Sequence, residues 1–247
     1  MKYPSVAFAL SLATGVVSAE SVVTINGKTL RSTHGGIIVQ NSTVIVDGKV
    51  VSGDVVEGSG NLASEQRGLG DFDKLRLGIN ASVTVTAGET PKFEITADDN
   101  LLPLILTQRS GNTLEISAQE SYSTRQAITI AIEVPVLTSV ENNASGTIRI
   151  DGVTRDTLAL AINGSGDISA RGRVIQLQAA INGSGGLRAA ALETATATVV
   201  INGSGDADVH ARDTLTASIN GSGDITYRGS PASVRTAING SGSVREK

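Results

Sequence analysis

Only two histidines occur in the 247 residues, His34 and His210, and nothing near either in sequence completes a zinc site. Serine and acids are plentiful, but a Ser–His–acid triad is defined by geometry. No Gly-x-Ser-x-Gly elbow stands between a strand pattern and a helix pattern. No Gly-Lys-Ser/Thr closes a glycine loop, so phosphate-loop chemistry has no carrier. The carboxylates offer more. Asp167, Asp206 and Asp224 each fall four residues after an asparagine of a repeated motif. An acidic file of this kind could hold calcium, which takes about six to eight oxygens. Thr147, Gly186 and Ser243 interrupt the file, which favours a solvated face. Arg171, Arg173, Arg188 and Arg212 lie near Asp208 and Asp213, the residue types a polysaccharide lyase or hydrolase needs. No paired-carboxylate arrangement stands out among them. The sequence thus assigns no catalytic, cofactor-binding or metal residue and reads as a non-enzyme.

Asparagine spacing carries the strongest signal. Ile-Asn-Gly-Ser-Gly occurs five times, with Asn163, Asn182, Asn202, Asn220 and Asn239 separated by 19, 20, 18 and 19 residues. A degenerate copy, Asn143-Ala144-Ser145-Gly146, stands 20 residues before Asn163. Each Asn-Gly-Ser is also a glycosylation sequon, and Asn41, Asn80 and Asn143 begin others. Stacking explains the regular period better. Asparagines in file can bond one another and a corner backbone, and Asn-Gly tolerates left-handed φ. The six residues Asn143, Asn163, Asn182, Asn202, Asn220 and Asn239 are therefore expected to form a structural ladder.

The elements that hold such a ladder follow from the flanks. Before each Asn, apolar or small residues alternate with others, as in Leu158, Leu160, Ile162 and in Leu215, Ala217, Ile219. The last copy reads Val234, Thr236, Ile238. After each Gly-Ser-Gly a second alternation follows, as in Ile168, Ala170 and Val209, Ala211. Period two means strands. Each unit is thus strand, Asn-Gly-Ser-Gly corner, strand, then a variable turn. In a hairpin array identical motifs would not stack, whereas a parallel β-helix puts each over the last, about 4.8 Å away. The fold expected is all-β, a single-stranded parallel β-helix with coils of about 19 residues. The general hand of parallel crossovers predicts a right-handed coil. Upstream, Phe72–Asn80, Ser82–Gly88, Lys92–Thr96, Thr113–Ile116 and Ile128–Pro135 alternate similarly. Pro103 argues against a helix at Leu101–Leu106.

Composition agrees. Three Phe, three Tyr and no Trp leave a core of small residues in narrow layers, unlike a helical bundle or an ordinary α/β enzyme. A net charge of −4 gives no footprint for nucleic acid, and zero Cys excludes a disulfide frame. Met1–Pro4 carries one positive charge, Ser5–Val17 is uncharged and largely apolar, and Val17-Ser18-Ala19 offers small residues for cleavage before Glu20. This is a secretory leader, too short for a membrane span. Residues 1–19 are read as the signal peptide and 20–66 as a β-rich segment with a Gly-rich linker. Residues 67–247 form the β-helix. Within 20–66, Thr24-Ile25-Asn26-Gly27-Lys28 and Ile45–Val51 are turn-centred β segments; residues 53–70 read as linker.

Phe72-Asp73-Lys74-Leu75, then Gly78-Ile79-Asn80, the Val83–Gly88 strand and turn, and the Asn-Gly-Ser-Gly-Asp ladder together resemble the putative auto-transporter adhesin head GIN domain family. The resemblance covers roughly residues 66 to 245. It implies a bacterial, exported parallel β-helix, periplasmic, surface-bound or secreted, and by its name adhesion. It brings no catalytic residues. The function expected is a non-catalytic binding module for a polysaccharide or cell-surface ligand, with no cofactor. The alternative is a polysaccharide-active enzyme on the same fold. A third reading, end-to-end stacking, is weakened by the charges in Arg245-Glu246-Lys247.

Overall fold

The computed structural model describes residues 55–247 and, before them, short strands within residues 15–50. The expected leader cleavage at Ala19–Glu20, His34 and the start of the expected linker lie outside the described residues. The chain divides into two units, Met1–Val56 and Glu57–Lys247. In the first unit, β1 (Gly15–Val17), β4 (Ile37–Gln40), β5 (Thr43–Val46) and β6 (Lys49–Val50) form one antiparallel sheet. There β2 (Val22–Ile25) pairs with β3 (Lys28–Arg31) as an antiparallel hairpin.

The second unit is a stack of parallel β coils. After β7 (Val56–Glu57) come β8 (Leu62–Gln66), β9 (Lys74–Leu77), β10 (Ser82–Ala87) and β11 (Lys92–Asp98). A 3₁₀ turn at Leu102–Leu104 leads to β12 (Ile105–Ser110) and β13 (Thr113–Ala118). Then follow β14 (Tyr122–Ser123), β15 (Thr129–Val134) and β16 (Ser139–Asn142). The regular coils are β17 (Thr147–Ile162), β18 (Asp167–Ile181), β19 (Gly186–Gly203) and β20 (Asp206–Gly221). The stack ends with β21 (Ile225–Arg228), β22 (Ser233–Gly240) and β23 (Val244–Glu246). Leu62–Gln66, inside the expected linker, is a strand because its backbone pairs with β11.

The repeats superpose in register. Leu158, Leu177, Ala197, Leu215 and Val234 form one column, and Ile162, Ile181, Ile201, Ile219 and Ile238 another. These inward columns are buried in every coil except the last, where Val234 and Ile238 are exposed. A column of identical Ile or of Leu and Ala packs a narrow interior without rings. Among the described residues the two phenylalanines, Phe72 and Phe93, are buried and lie outside the regular coils.

Stack order departs from chain order. β9 lies parallel between β13 and β16, and β10 lies parallel between β15 and β17. The chain's first coil is therefore inserted beneath a coil made later. After Ala87 the chain leaves to build the end of the stack, where β11 runs antiparallel to both β15 and β8, and β12 antiparallel to β13. Arg67 fastens this end: its guanidinium donates to the carbonyls of Leu102 at 2.9 Å and Ile105 at 2.6 Å, and pairs with Glu65. Asp98, 1% exposed, accepts from the Gly60 amide at 2.8 Å and from the Thr124 hydroxyl.

Candidate binding face

Each coil has one corner and two outward sides. The corner amides donate to carbonyls of the coil before, as from Asn182 to Ile162 at 2.7 Å and from Ser222 to Gly203 at 2.9 Å. The last Gly of each motif is pressed on its predecessor. A Cβ on Gly205 would meet the Gly185 oxygen at 2.3 Å, and one on Gly223 the Gly205 oxygen at 1.9 Å. Only glycine fits this approach.

At the corner the asparagine side chains join in one file. The amide of Asn163 donates to Asn143 at 2.7 Å, Asn182 to Asn163 at 2.8 Å, and Asn202 to Asn182 at 2.8 Å. Asn220 donates to Asn202 at 2.9 Å and Asn239 to Asn220 at 3.0 Å. All six are exposed. The degenerate copy differs by one residue: Asn142 occupies the inward position held elsewhere by Ile. It is 0% exposed and satisfied within its own corner, donating to the Gly146 carbonyl at 2.7 Å and accepting from the Ala144 amide at 3.2 Å. Repeat spacing alone did not single it out, although Asn in an Ile column is a visible anomaly.

The side that follows the corner is charged and internally paired. Asp167, Asp206 and Asp224 cap the next coil, accepting backbone amides of Gly186, Asp224 and Ser243, each at 2.8 Å. Arg188 pairs with Asp167 at 2.8 Å, Arg245 with Asp224 at 3.1 Å, and Arg173 with Glu193 at 2.5 Å. Arg149 and Arg171 share Asp151, and Arg212 holds its neighbour Asp213. The hydroxyl and amide of Ser243 hold the Asp224 carboxyl below its usual range, and Arg212 does the same for Asp213. Asp208 is bridged by Lys247 at 3.3 Å and Arg228 at 3.8 Å, and Asp213 by Arg212 at 2.8 Å. His210 stands in register with Glu193 and Arg228. Among the described residues no three His, Cys, Asp or Glu side chains come together to hold a metal.

The side that precedes the corner is different. Its outward positions run Thr157, Ala159, Ala161 on β17 and Gln176, Gln178, Ala180 on β18. They continue as Thr196, Thr198, Val200 on β19 and Thr214, Thr216, Ser218 on β20. No charge interrupts this array of four rows. Rows repeat at about 4.8 Å, and outward neighbours along a strand at about 6.8 Å. The Asn ladder and the exposed serines Ser165, Ser184, Ser204 and Ser222 continue it round the corner. Charge returns at its margins, with Arg76 and Glu141 paired at 2.9 Å on one side and Arg235 on the other. Sequence reasoning missed this face because it followed the inward residues. The signal was in the intervening ones, charged after each corner and neutral before it.

The chain is also similar to known proteins. A putative adhesin from Bacteroides fragilis is similar in fold with a TM-score of 0.65 and 22% identity, over 78% of this chain and 100% of that one. A putative adhesin from Parabacteroides merdae gives 0.54 and 21%, over 78% and 99%. A putative lipid binding protein from Parabacteroides distasonis gives 0.53 and 23%, over 78% and 100%. These identities show a shared fold. Comparison with curated proteins gave no significant match. The model of the putative auto-transporter adhesin, head GIN domain family matches residues 71–231, well over half of the chain, and the chain belongs to that family.

Proposed function

We propose that the chain is exported, loses residues 1–19, and works as a non-catalytic binding module whose contact surface is the neutral face from Thr157 to Ser218. The observation that carries this is the contrast between the two sides. On one side the charges are satisfied by partners in the same or the next coil. On the other, hydroxyls, amides and small apolar side chains stand in rows with no charge among them. A flat array with a fixed repeat suits a long ligand that also repeats. Neutral donors and acceptors suit uncharged hydroxyl-rich polymers, since an anionic one would be desolvated there without a counter-charge. The family description, adhesin, supports the binding reading. The leader rests on the sequence; no helix among the described residues is long and apolar enough to cross a membrane.

Co-sedimentation with insoluble neutral polysaccharides tests this. Retention should hardly change as the screening length shrinks from about 30 Å in dilute salt to about 3 Å at about 1 M. Retention on anionic polymers alone, lost at high salt, would overturn it.

A further inference from the structure

We propose that the outer edge of the last coil is a docking site for a second copy of this chain, occupied by that copy's N-terminal Ile-Asn-Gly hairpin, residues 20–31. The acceptor is visible in the last coil. β22 pairs with β20 along one edge, and among the described residues no strand covers the other. Val234 and Ile238 belong to inward columns yet are 40% and 42% exposed, while Leu215 and Ile219 in the coil before are at 0%. Asn239 donates to Asn220, and its own oxygen meets no donor among the described residues. The last coil has the shape of a coil awaiting another.

The donor is in the sequence. Glu20-Ser21-Val22-Val23-Thr24-Ile25-Asn26-Gly27 aligns without a gap on Ser233-Val234-Arg235-Thr236-Ala237-Ile238-Asn239-Gly240. This Ile-Asn-Gly lies outside the run of coils, and the binding reading gives it no role. Val22–Ile25 is a strand paired with Lys28–Arg31 on one edge, in a sheet of two strands. An isolated hairpin is marginal in water and gains from a third strand. Parallel addition sets Asn26 beside Asn239, Ile25 beside Ile238 and Val23 beside Thr236. It also sets Glu20 diagonal to Arg235, opposite in charge and within reach on one face. The ladder gains a rung, and Lys28–Arg31 becomes an outer edge with a cation at each end, which blunts further pairing there.

A head-to-tail arrangement fits better than two last coils meeting, which would bring Arg235 and Arg245 of both copies onto one seam. Among the described residues Val22–Ile25 pairs only with Lys28–Arg31, and Val234 and Ile238 remain exposed, so the edge is open to a second copy. Because donor and acceptor are different surfaces, the contact does not close on itself and copies can add in line, presenting the neutral face repeatedly.

Two experiments on the whole chain test this. The protein has no cysteine, so Asn26→Cys with Asn239→Cys under a mild thiol oxidant reports the register. The rung spacing of about 4.8 Å is within disulfide range. Disulfide-linked multimers that diminish on dilution are expected; a closed monomer, or no disulfide, overturns the proposal. Sedimentation then separates the two ends. Ile25→Asp and Ile238→Asp should each be monomeric alone and, when mixed, form dimers and nothing larger, since one working donor and one working acceptor remain. Unchanged circular dichroism shows that both variants fold. Wild-type chain that stays monomeric at high concentration, or an Ile238→Asp variant that assembles like wild type, overturns it.

Discussion

Replacing Gly205 by alanine should cost far more than a methyl group normally does. The added Cβ would lie 2.3 Å from the Gly185 carbonyl oxygen and 2.7 Å from the Ile181 Cγ2. An ordinary carbon–oxygen contact needs roughly a further 1 Å, and the oxygen belongs to backbone that cannot rotate away. The coil must lift or the corner must open, and either strains the Gly205 amide's 3.1 Å bond to the Gly183 carbonyl. Overpacking of a close-packed interior typically costs about 1–3 kcal/mol. A strained or broken amide bond adds about 1 kcal/mol. The expected loss is about 3 kcal/mol in urea unfolding, read as a fall in midpoint with little change in slope. Gly68, where an added Cβ would have nothing within 4 Å, is the control. Gly68→Ala should be neutral or gain up to about 1 kcal/mol through the unfolded state. Equal small shifts at both sites would refute the stacked corner as the reason for the glycine.

Three further outcomes follow from the same geometry. Asn202→Ala removes two ladder bonds and Asn239→Ala one; with all partners exposed, each bond should be worth about 0.5–1 kcal/mol. Urea unfolding of dilute, monomeric chain should therefore show about twice the loss at Asn202, and equal negligible shifts would mean that the ladder adds no stability. Asn142→Ala removes the acceptor of the Ala144 amide and leaves the buried Gly146 carbonyl with the Asp167 amide alone, and should cost about 1–3 kcal/mol, whereas a loss below about 0.5 kcal/mol would show that the corner does not depend on it. The Asp224 carboxyl is held low by Ser243, so its contribution is complete above the unfolded Asp value of about 3.9 and is lost as pH falls through the lower folded one. The Ser243 amide resonance should titrate with a midpoint below that value and stop titrating in Asp224→Asn; a midpoint at or above it would contradict the bond.

The architecture was legible because the motif repeats. A period near 19 with alternating flanks admits few packings, and the Ile, Leu and Ala positions before each Asn are the observed inward columns. The other end was less legible for a physical reason. Alternation states which side of a strand is buried but not which strand lies beside it. Nothing in Lys74–Leu77 indicates that Thr113–Ala118 and Ser139–Asn142 flank it. The strand at Leu62–Gln66 was hidden because it is an exposed edge with a single partner, β11, and so lacks a buried pattern. The Asp file at 167, 206 and 224 was visible as a file, but its role as acceptor for the next coil's amides depends on backbone direction, which spacing does not encode. The neutral face needed both sides of the coil to be compared, and becomes evident once Thr198 and Thr216 are set against Arg188 and Arg245.

The claim that one side of the coil is the contact surface is tested most directly by changing the charge of each side in turn. Binding of the chain to a polysaccharide array should be measured for Thr198→Arg with Thr216→Arg, and separately for Arg173→Gln with Arg188→Gln. The threonines are half-exposed on β19 and β20, and the arginines are exposed on β18 and β19. The account predicts that the threonine pair loses binding to neutral polysaccharides at least tenfold, about 1.4 kcal/mol, while the arginine pair keeps it. Loss with the arginine pair and retention with the threonine pair would contradict it.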